Sequence, residues 1–481
     1  MTRPPNVVLV NCDDLGYGDL GCYGSKRNAS PTIDRLAANG ARFTNFYMAS
    51  PVCSPSRAAL LCGCYPLRVG FGGESTHGLG GVLFPGWDVG LNPAETTIAA
   101  MLSGAGYATL AVGKWHCGDQ PDFLPTNHGF DEWYGLPYSN DMGRQRDPDE
   151  GLTHSAIGDL LTQAGIDAPW TTPPLPLMDG TEVIEAQPDQ SSLTERYVER
   201  CVRFMRTNAE KPFFVYLAHM YVHLPIYVQQ RFLDDSVNGP YGAAVACIDW
   251  ATDVITHELE RLGLSENTLV IFTSDNGALS EDQGGSGSNA PLRGSKGTTW
   301  EGGMRVPCVM SWPGRIPAAS VIDDLATSMD LLPTIASLSG ASLPDRRIDG
   351  ADISSLVGLS GAAGPPLSER SFFFTGDGNI EAVRRGRWKL HVRKGPREIT
   401  ELYDLMDDPG ESRDSAADRS TIVAELLAEV EAARRDLGDE ALGIEGSGVR
   451  SIGRVAAAVP LTEFDASYPY YAAEYDLPHR G

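Results

Sequence analysis

The chain has 481 residues, 42% of them hydrophobic, and a formal net charge of −25 at pH 7. The length suits two or three domains, or one large α/β domain with a smaller companion, and the ordinary apolar share excludes a disordered chain. The acidic balance argues against a general nucleic-acid or anionic-membrane binder, so a site for an anion must gather its own cations locally.

The N-terminus, MTRPPNVVLVNCDDLG, does not read as a signal peptide, because the apolar run Val7 to Val10 is short and two aspartates follow at once. No stretch approaches the ~20 apolar residues of a membrane span. Nine cysteines lie mostly apart. Without an export signal they are expected to be mainly reduced thiols of a cytoplasmic protein.

The first predicted strand is NVVLVN (6–11), followed in chain order by YATLAV (107–112), PFFVYLA (212–218), TLVIFTS (268–274) and VPCVMSW (306–312). Continuous rather than alternating apolar runs imply a sheet covered on both faces. Between them SSLTERYVERCVRFM predicts an amphipathic helix opened by a Ser192–Glu195 capping box, and YGAAVACIDWATDVITHELERLGL predicts a second. The pattern implies an α/β fold with a large, mostly parallel sheet flanked by helices. Residues 147–190, with APWTTPPLPLMDG, read as a Pro-rich surface insert. A linker near GAAGPPLSER separates a catalytic unit (1–365) from a smaller α+β unit (366–445) of alternating strands and the helix STIVAELLAEVEAARRDL. The tail 446–481 shows no clear period.

The polar residues cluster directly after the predicted strands. Asp13 and Asp14 follow the first, Lys114 and His116 the second, His219 and His223 the third, Asp275 and Asn276 the fourth. A parallel sheet brings these to one edge, where α/β proteins bind ligands. CDDLG alone also fits a capped turn. Together with SDNG it offers the hard oxygens that suit Ca²⁺ or Mg²⁺, and no Cys/His spacing supports zinc. Lys114 and His116 alone also fit a solvated lysine beside a packed Trp–His pair. In PVCSPSRAALLCG, Ser54 is placed to cap a helix with Pro55 in its first turn, leaving Cys53 just ahead of the helix N-terminus and Arg57 able to reach back. An activated thiolate and a small buried thiol both fit this setting.

CSPSR resembles the C-x-P-x-R signature of the type I, formylglycine-dependent sulfatase family. VLVNCDDLGYGDLGCYG, VGKWH, HGFDEWYG, TSDNG, LRGSKGTTWEGGMRVP, GRWKLH and ELYDLMDDPGE resemble further sulfatase motifs in family order, from about Asn6 to Glu411. The resemblance implies an alkaline phosphatase-like fold, oxidation of Cys53 to Cα-formylglycine by a formylglycine-generating enzyme, and hydrolysis of an aryl or carbohydrate sulfate monoester. It implies that Asp13, Asp14, Asp275, Asn276 and the modified Cys53 hold one divalent cation, usually Ca²⁺ in this family, with Mg²⁺ the alternative. By the same resemblance Arg57 steadies the aldehyde hydrate, Lys114 and Lys296 bind sulfate oxygens with Ser139 as a weaker contact, His116 faces the second hydrate hydroxyl, and His223, before His219, faces the leaving group. The family commonly continues its signature with Thr-Gly-Arg, where this chain has Cys62-Gly63-Cys64. Rival readings are a phosphonate monoester or phosphodiester hydrolase of the same superfamily, or a non-catalytic metal-binding protein with unmodified Cys53. No nucleic-acid or membrane partner is expected, and the sequence leaves the oligomeric state open.

Overall fold

The computed structural model describes residues 3–76, 80–143, 145–147, 151–153, 173–279, 285–359, 370–463, 465 and 467–470. Its centre is a mixed sheet of ten strands among the described residues. The four strands Ala108–Lys114, Phe213–Ala218, Asn6–Cys12 and Thr268–Ser274 lie side by side in that order and pair in parallel. Their side chains are almost all buried, as β-branched and aromatic runs covered on both faces must be. The sheet continues in parallel from Ala108–Lys114 to Glu132–Leu136.

Outside this parallel centre the sheet departs from the sequence reading. Cys308–Ser311 joins Thr268–Ser274 antiparallel, and Ala41–Phe43 joins it antiparallel in turn. The polarity of a short apolar strand is set by the route of its connection, which its own composition does not encode. The Pro-rich stretch is not all surface loop. Pro176–Asp179 and Glu182–Ala186 form a hairpin that extends the sheet beyond Glu132–Leu136, and Leu175, Leu177 and Met178 are fully buried. Pro176 stands at the first position of its strand, where a missing N–H is tolerated. Residues 148–150 and 154–172 of the expected insert lie outside the described residues.

Helices Leu193–Thr207 and Gly239–Arg261 pack on one face. Cys53–Cys62, Ile98–Gly104 and Leu331–Ser339 pack on the other. The expected Ser192 cap does not form: its hydroxyl donates to the Asp189 carbonyl instead.

A second sheet of four antiparallel strands, Ser371–Gly376, Asn379–Arg385, Trp388–Lys394 and Arg397–Asp404, carries the helix Ser420–Leu437. It is joined to the first unit by a buried ionic knot. Lys389 Nζ lies 3.0 Å from both Glu301 and Glu411 and donates to the Thr299 carbonyl, all without solvent exposure. The chain then returns to the large unit. Gly453–Arg454 pairs with Val89–Gly90, Val459 exchanges hydrogen bonds with the Gln120 amide, and Thr462 donates to the Pro174 carbonyl. No described helix is long and apolar enough to cross a membrane.

Candidate active site

The parallel centre extends past its last residues as a main-chain lattice. Asp275 N donates to the Cys12 carbonyl at 2.9 Å, Asp13 N to the Tyr221 carbonyl at 2.9 Å, and Val222 N to the Asp13 carbonyl at 2.6 Å. This fixes Asp13, Asp275 and the segment before His223 at one edge. Asp14 and His116 adopt left-handed backbone, with φ of 60° and 58°. Non-glycine residues hold that conformation at a cost of about 1–3 kcal/mol, which the surrounding structure must over-determine. Directly before Lys114, Gly113 (φ 100°) leaves a side-chain position only 2.0 Å from the Ala218 carbonyl, so only glycine fits there.

Helix Cys53–Cys62 is laid across these strand ends. Ser56 Oγ donates to the Asp275 carbonyl at 2.5 Å, and Arg57 donates through Nε to Asp275 Oδ2 and through Nη1 to the Lys114 carbonyl, both at 2.8 Å. Cys53 is the first helical residue rather than a residue ahead of the helix, and Val52 occupies the cap position. Ser54 does not cap the helix either: its hydroxyl accepts from Leu83 N at 3.1 Å. Burial pushes the Cys53 thiol up to about 12, only partly opposed by Lys114 and Lys296. That environment keeps an unmodified Cys53 a protonated thiol, against the activated thiolate.

The structure brings together ligand atoms of Asp13, Asp14, Cys53 and His223 within 4.8 Å of one another. Lys114 Nζ bonds Asp13 Oδ2 and, at 3.1 Å, Ser139 Oγ. Lys296 Nζ lies 2.8 Å from Asp14 Oδ2. Three buried carboxylates (Asp13, Asp14, Asp275) thus face three cations (Arg57, Lys114, Lys296). Burial alone would raise Asp13, but Lys114, His223, Arg57 and Lys296 together hold it well below the usual carboxylate range. Asp275 is pushed up to about 7, by burial first and then by the charge of Asp13.

Within this cluster two buried oxygens have no hydrogen-bond partner, Asp13 Oδ1 and Asn276 Oδ1. The Asn276 amide nitrogen is spent on Asp14 and the Gly277 carbonyl, so its unpartnered oxygen is left beside the acidic group. Orphaned buried acceptors beside clustered carboxylates fit a hard divalent cation.

The histidines differ in their freedom. His116 Nε2 donates to the Leu83 carbonyl at 2.9 Å, leaving Nδ1 without a partner, and burial holds the ring neutral. His223 Nδ1 donates to the Leu224 carbonyl at 2.5 Å and Nε2 lies 3.8 Å from Asp14. His219 is locked inside: Nδ1 accepts from Tyr221 N, Nε2 faces the Thr194 hydroxyl, and burial lowers it to about 3. The second choice for the leaving-group side is therefore a packing residue.

The comparisons decide the family. The sulfatase family model matches residues 5–341, and the model for the C-terminal part of N-sulphoglucosamine sulphohydrolase matches 295–436. The chain belongs to the sulfatase family. This sulfatase is 39% identical to human arylsulfatase A, across 86% of this chain and 83% of the relative. It is 39% identical to N-acetylgalactosamine-6-sulfatase from Canis lupus familiaris, across 81% and 72%. A sulfatase structure from Pseudoalteromonas sp. superposes with a TM-score of 0.77 at 29% identity, covering 90% of both chains. The chain is accordingly a sulfuric ester hydrolase of the alkaline phosphatase-like fold, and its relatives imply a metal ion and a modified cysteine as general features.

Sequence reasoning about this sulfatase missed the main-chain oxygen of Leu83 as the partner of His116, because any residue type supplies a carbonyl. It also missed Arg450, whose Nη2 lies 3.3 Å from Cys64 Sγ and whose fork holds Glu95. A guanidinium from the tail thus stands beside the cysteine that replaces the arginine of the usual signature.

Proposed function

We propose that Cys53 is converted to Cα-formylglycine by a formylglycine-generating enzyme and that its hydrate is the nucleophile against an aryl or carbohydrate sulfate. The observation that carries this reading is the convergence of Asp13, Asp14, Cys53 and His223 inside the ring of Arg57, Lys114 and Lys296. Cys53 Sγ marks where a hydrate oxygen would stand. Asp13, Asp14, Asp275 and Asn276 would hold the cation, Ca²⁺ by preference over Mg²⁺ since this oxygen set is irregular and rich in carboxylates. When bound, the ion lowers the cost of ionising a hydroxyl beside it.

The residues then divide the work. Lys114 and Lys296 bind sulfate oxygens, with Ser139 beside Lys114, and oppose the charge that builds on them. Arg57 orients Asp275. One hydrate hydroxyl loses its proton to Asp275, and its oxygen bonds to sulfur as the bond from sulfur to the leaving oxygen breaks. His223 Nε2 gives that oxygen a proton. His116 Nδ1, free in this structure, then takes the proton of the second hydroxyl. The carbonyl re-forms, the bond from carbon to the sulfated oxygen breaks, and sulfate departs. Water rehydrates the aldehyde.

Mass spectrometry of the peptide containing Cys53 tests the conversion directly, and C53A should lose sulfate release from an aryl sulfate. An unmodified thiol in active enzyme, or near-normal turnover by C53A, overturns the reading.

A further inference from the structure

We propose that Asp119 is a positioning residue for His116, acting through the main chain of Leu83–Gly86, and that it governs the release of sulfate rather than its capture. This rests on the reading of His116 as the base of the second half-reaction.

The argument starts from how little holds the imidazole. Its ring makes a single hydrogen bond, from Nε2 to the Leu83 carbonyl, because Nδ1 is unpartnered. The direction of the Nδ1 lone pair therefore follows the Leu83 peptide. Leu83 is bracketed: its N–H donates to Ser54, the neighbour of the nucleophile, while its carbonyl receives the base. Three residues further on, Gly86 N donates to Asp119 Oδ2 at 2.5 Å. Asp119 itself lies three residues after His116 in the segment that follows strand Ala108–Lys114. The chain and these hydrogen bonds close a ring that runs from His116 to Leu83, to Gly86, to Asp119 and back to His116.

Asp119 is buried, and its other oxygen accepts from the Gln120 amide at 2.9 Å. Gln120 is clamped on both sides by the Val459 peptide of the returning tail. The ring is thereby tied to the body of the protein. Deleting the Asp119 carboxylate takes from Gly86 N its acceptor and from the Gln120 amide one of its two, the Val459 carbonyl remaining. Gly86 is half-buried, and a donor left this way draws the loop towards a position where water or another acceptor can meet it. A displacement of about 1 Å at a reacting group can cost on the order of 10²-fold in rate.

A defect confined to the second half-reaction has a distinctive signature. Sulfate accumulates on the enzyme, kcat and KM fall together, and kcat/KM, which reports the steps through sulfur transfer, holds. In D119A, matured and metal-loaded, kcat for an aryl sulfate should fall about 10²-fold with KM falling alongside. The first turnover should release a full burst of phenol. Quenched protein should carry the mass of a retained sulfo group. D119N keeps one acceptor oxygen and should recover part of the rate; it carries the same readouts if D119A fails to fold. H116A should accumulate the same adduct. As a control for general loosening, D249A removes the carboxylate that accepts from Thr32 N and Ile33 N at a remote helix start and should show no adduct. An adduct in H116A but none in D119A or D119N overturns this proposal and leaves the role of His116 standing. No adduct in H116A overturns both.

Discussion

Lys114→Met removes a fully buried ammonium while keeping most of the side chain's volume. Lys114 Nζ bonds Asp13 Oδ2 and Ser139 Oγ, and it is the largest influence holding the Asp13 carboxyl down. Two costs follow. Breaking one side of a buried ion pair destabilises by about 3–5 kcal/mol, although Arg57 remains 3.6 Å from Asp13 and shares the load. In the reaction, one charge-assisted hydrogen bond to a sulfate oxygen is lost, worth about 1.5–3 kcal/mol. At 1.36 kcal/mol per factor of ten, kcat/KM should fall roughly 10- to 150-fold. The assay is steady-state hydrolysis of an aryl sulfate, normalised to aldehyde content and run across a Ca²⁺ titration. Loss of kcat/KM that persists at saturating Ca²⁺ supports the sulfate-binding role. Turnover within twofold of the parent, or full rescue by excess Ca²⁺, would refute it, since Lys114 would then act only on the metal site.

Other outcomes are fixed by the same geometry. H223A should lose about 10²- to 10⁴-fold on an alkyl or sugar sulfate and far less on a nitrophenyl sulfate, whose phenolate departs without a proton; equal losses on both argue against the acid role. Asp19 is pushed up from 3.8 to about 6, chiefly by burial and against hydrogen bonds from Tyr241, Ser288, Gly16 and Asn28. Between about pH 4 and 6 the folded chain binds the additional proton, so the Asp19 contribution to stability is fully present below that window and is lost as pH rises through it. D19N should flatten this part of the stability profile in thermal melts, and an unchanged slope would show that Asp19 does not titrate there.

The site was legible where chemistry sits directly at the end of an apolar run. Asp13, Lys114 and Asp275 follow strands whose unbroken Val, Ile and Leu content leaves few alternatives to a covered sheet. Once those strands are parallel and adjacent, their ends must meet. Local rules failed where a distant partner offered a better bond. Ser54 has the sequence of a helix cap, yet its hydroxyl serves Leu83 N, 29 residues away. Arg450 reaches Cys64 across 386 residues, a separation at which no spacing rule applies. The prolines of PPLPLMDG suggested a loop. The burial of Leu175, Leu177 and Met178 outweighed them because Pro176 falls where its missing donor is not needed.

The contrast between a chain of net charge −25 and a site that gathers Arg57, Lys114 and Lys296 shapes how substrate arrives. An anionic ester first meets repulsion, and only at the site does it reach cations, which there offset the three carboxylates. Dissolved salt reaches the outer shell more readily than the enclosed cations. As ionic strength rises from about 0.01 to 0.1 M, the screening distance shrinks from about 30 to 10 Å, thinning the long-range barrier before the short-range contacts of the site are weakened. Encounter should therefore quicken with added salt over this range, the reverse of the usual trend for an attracted ligand.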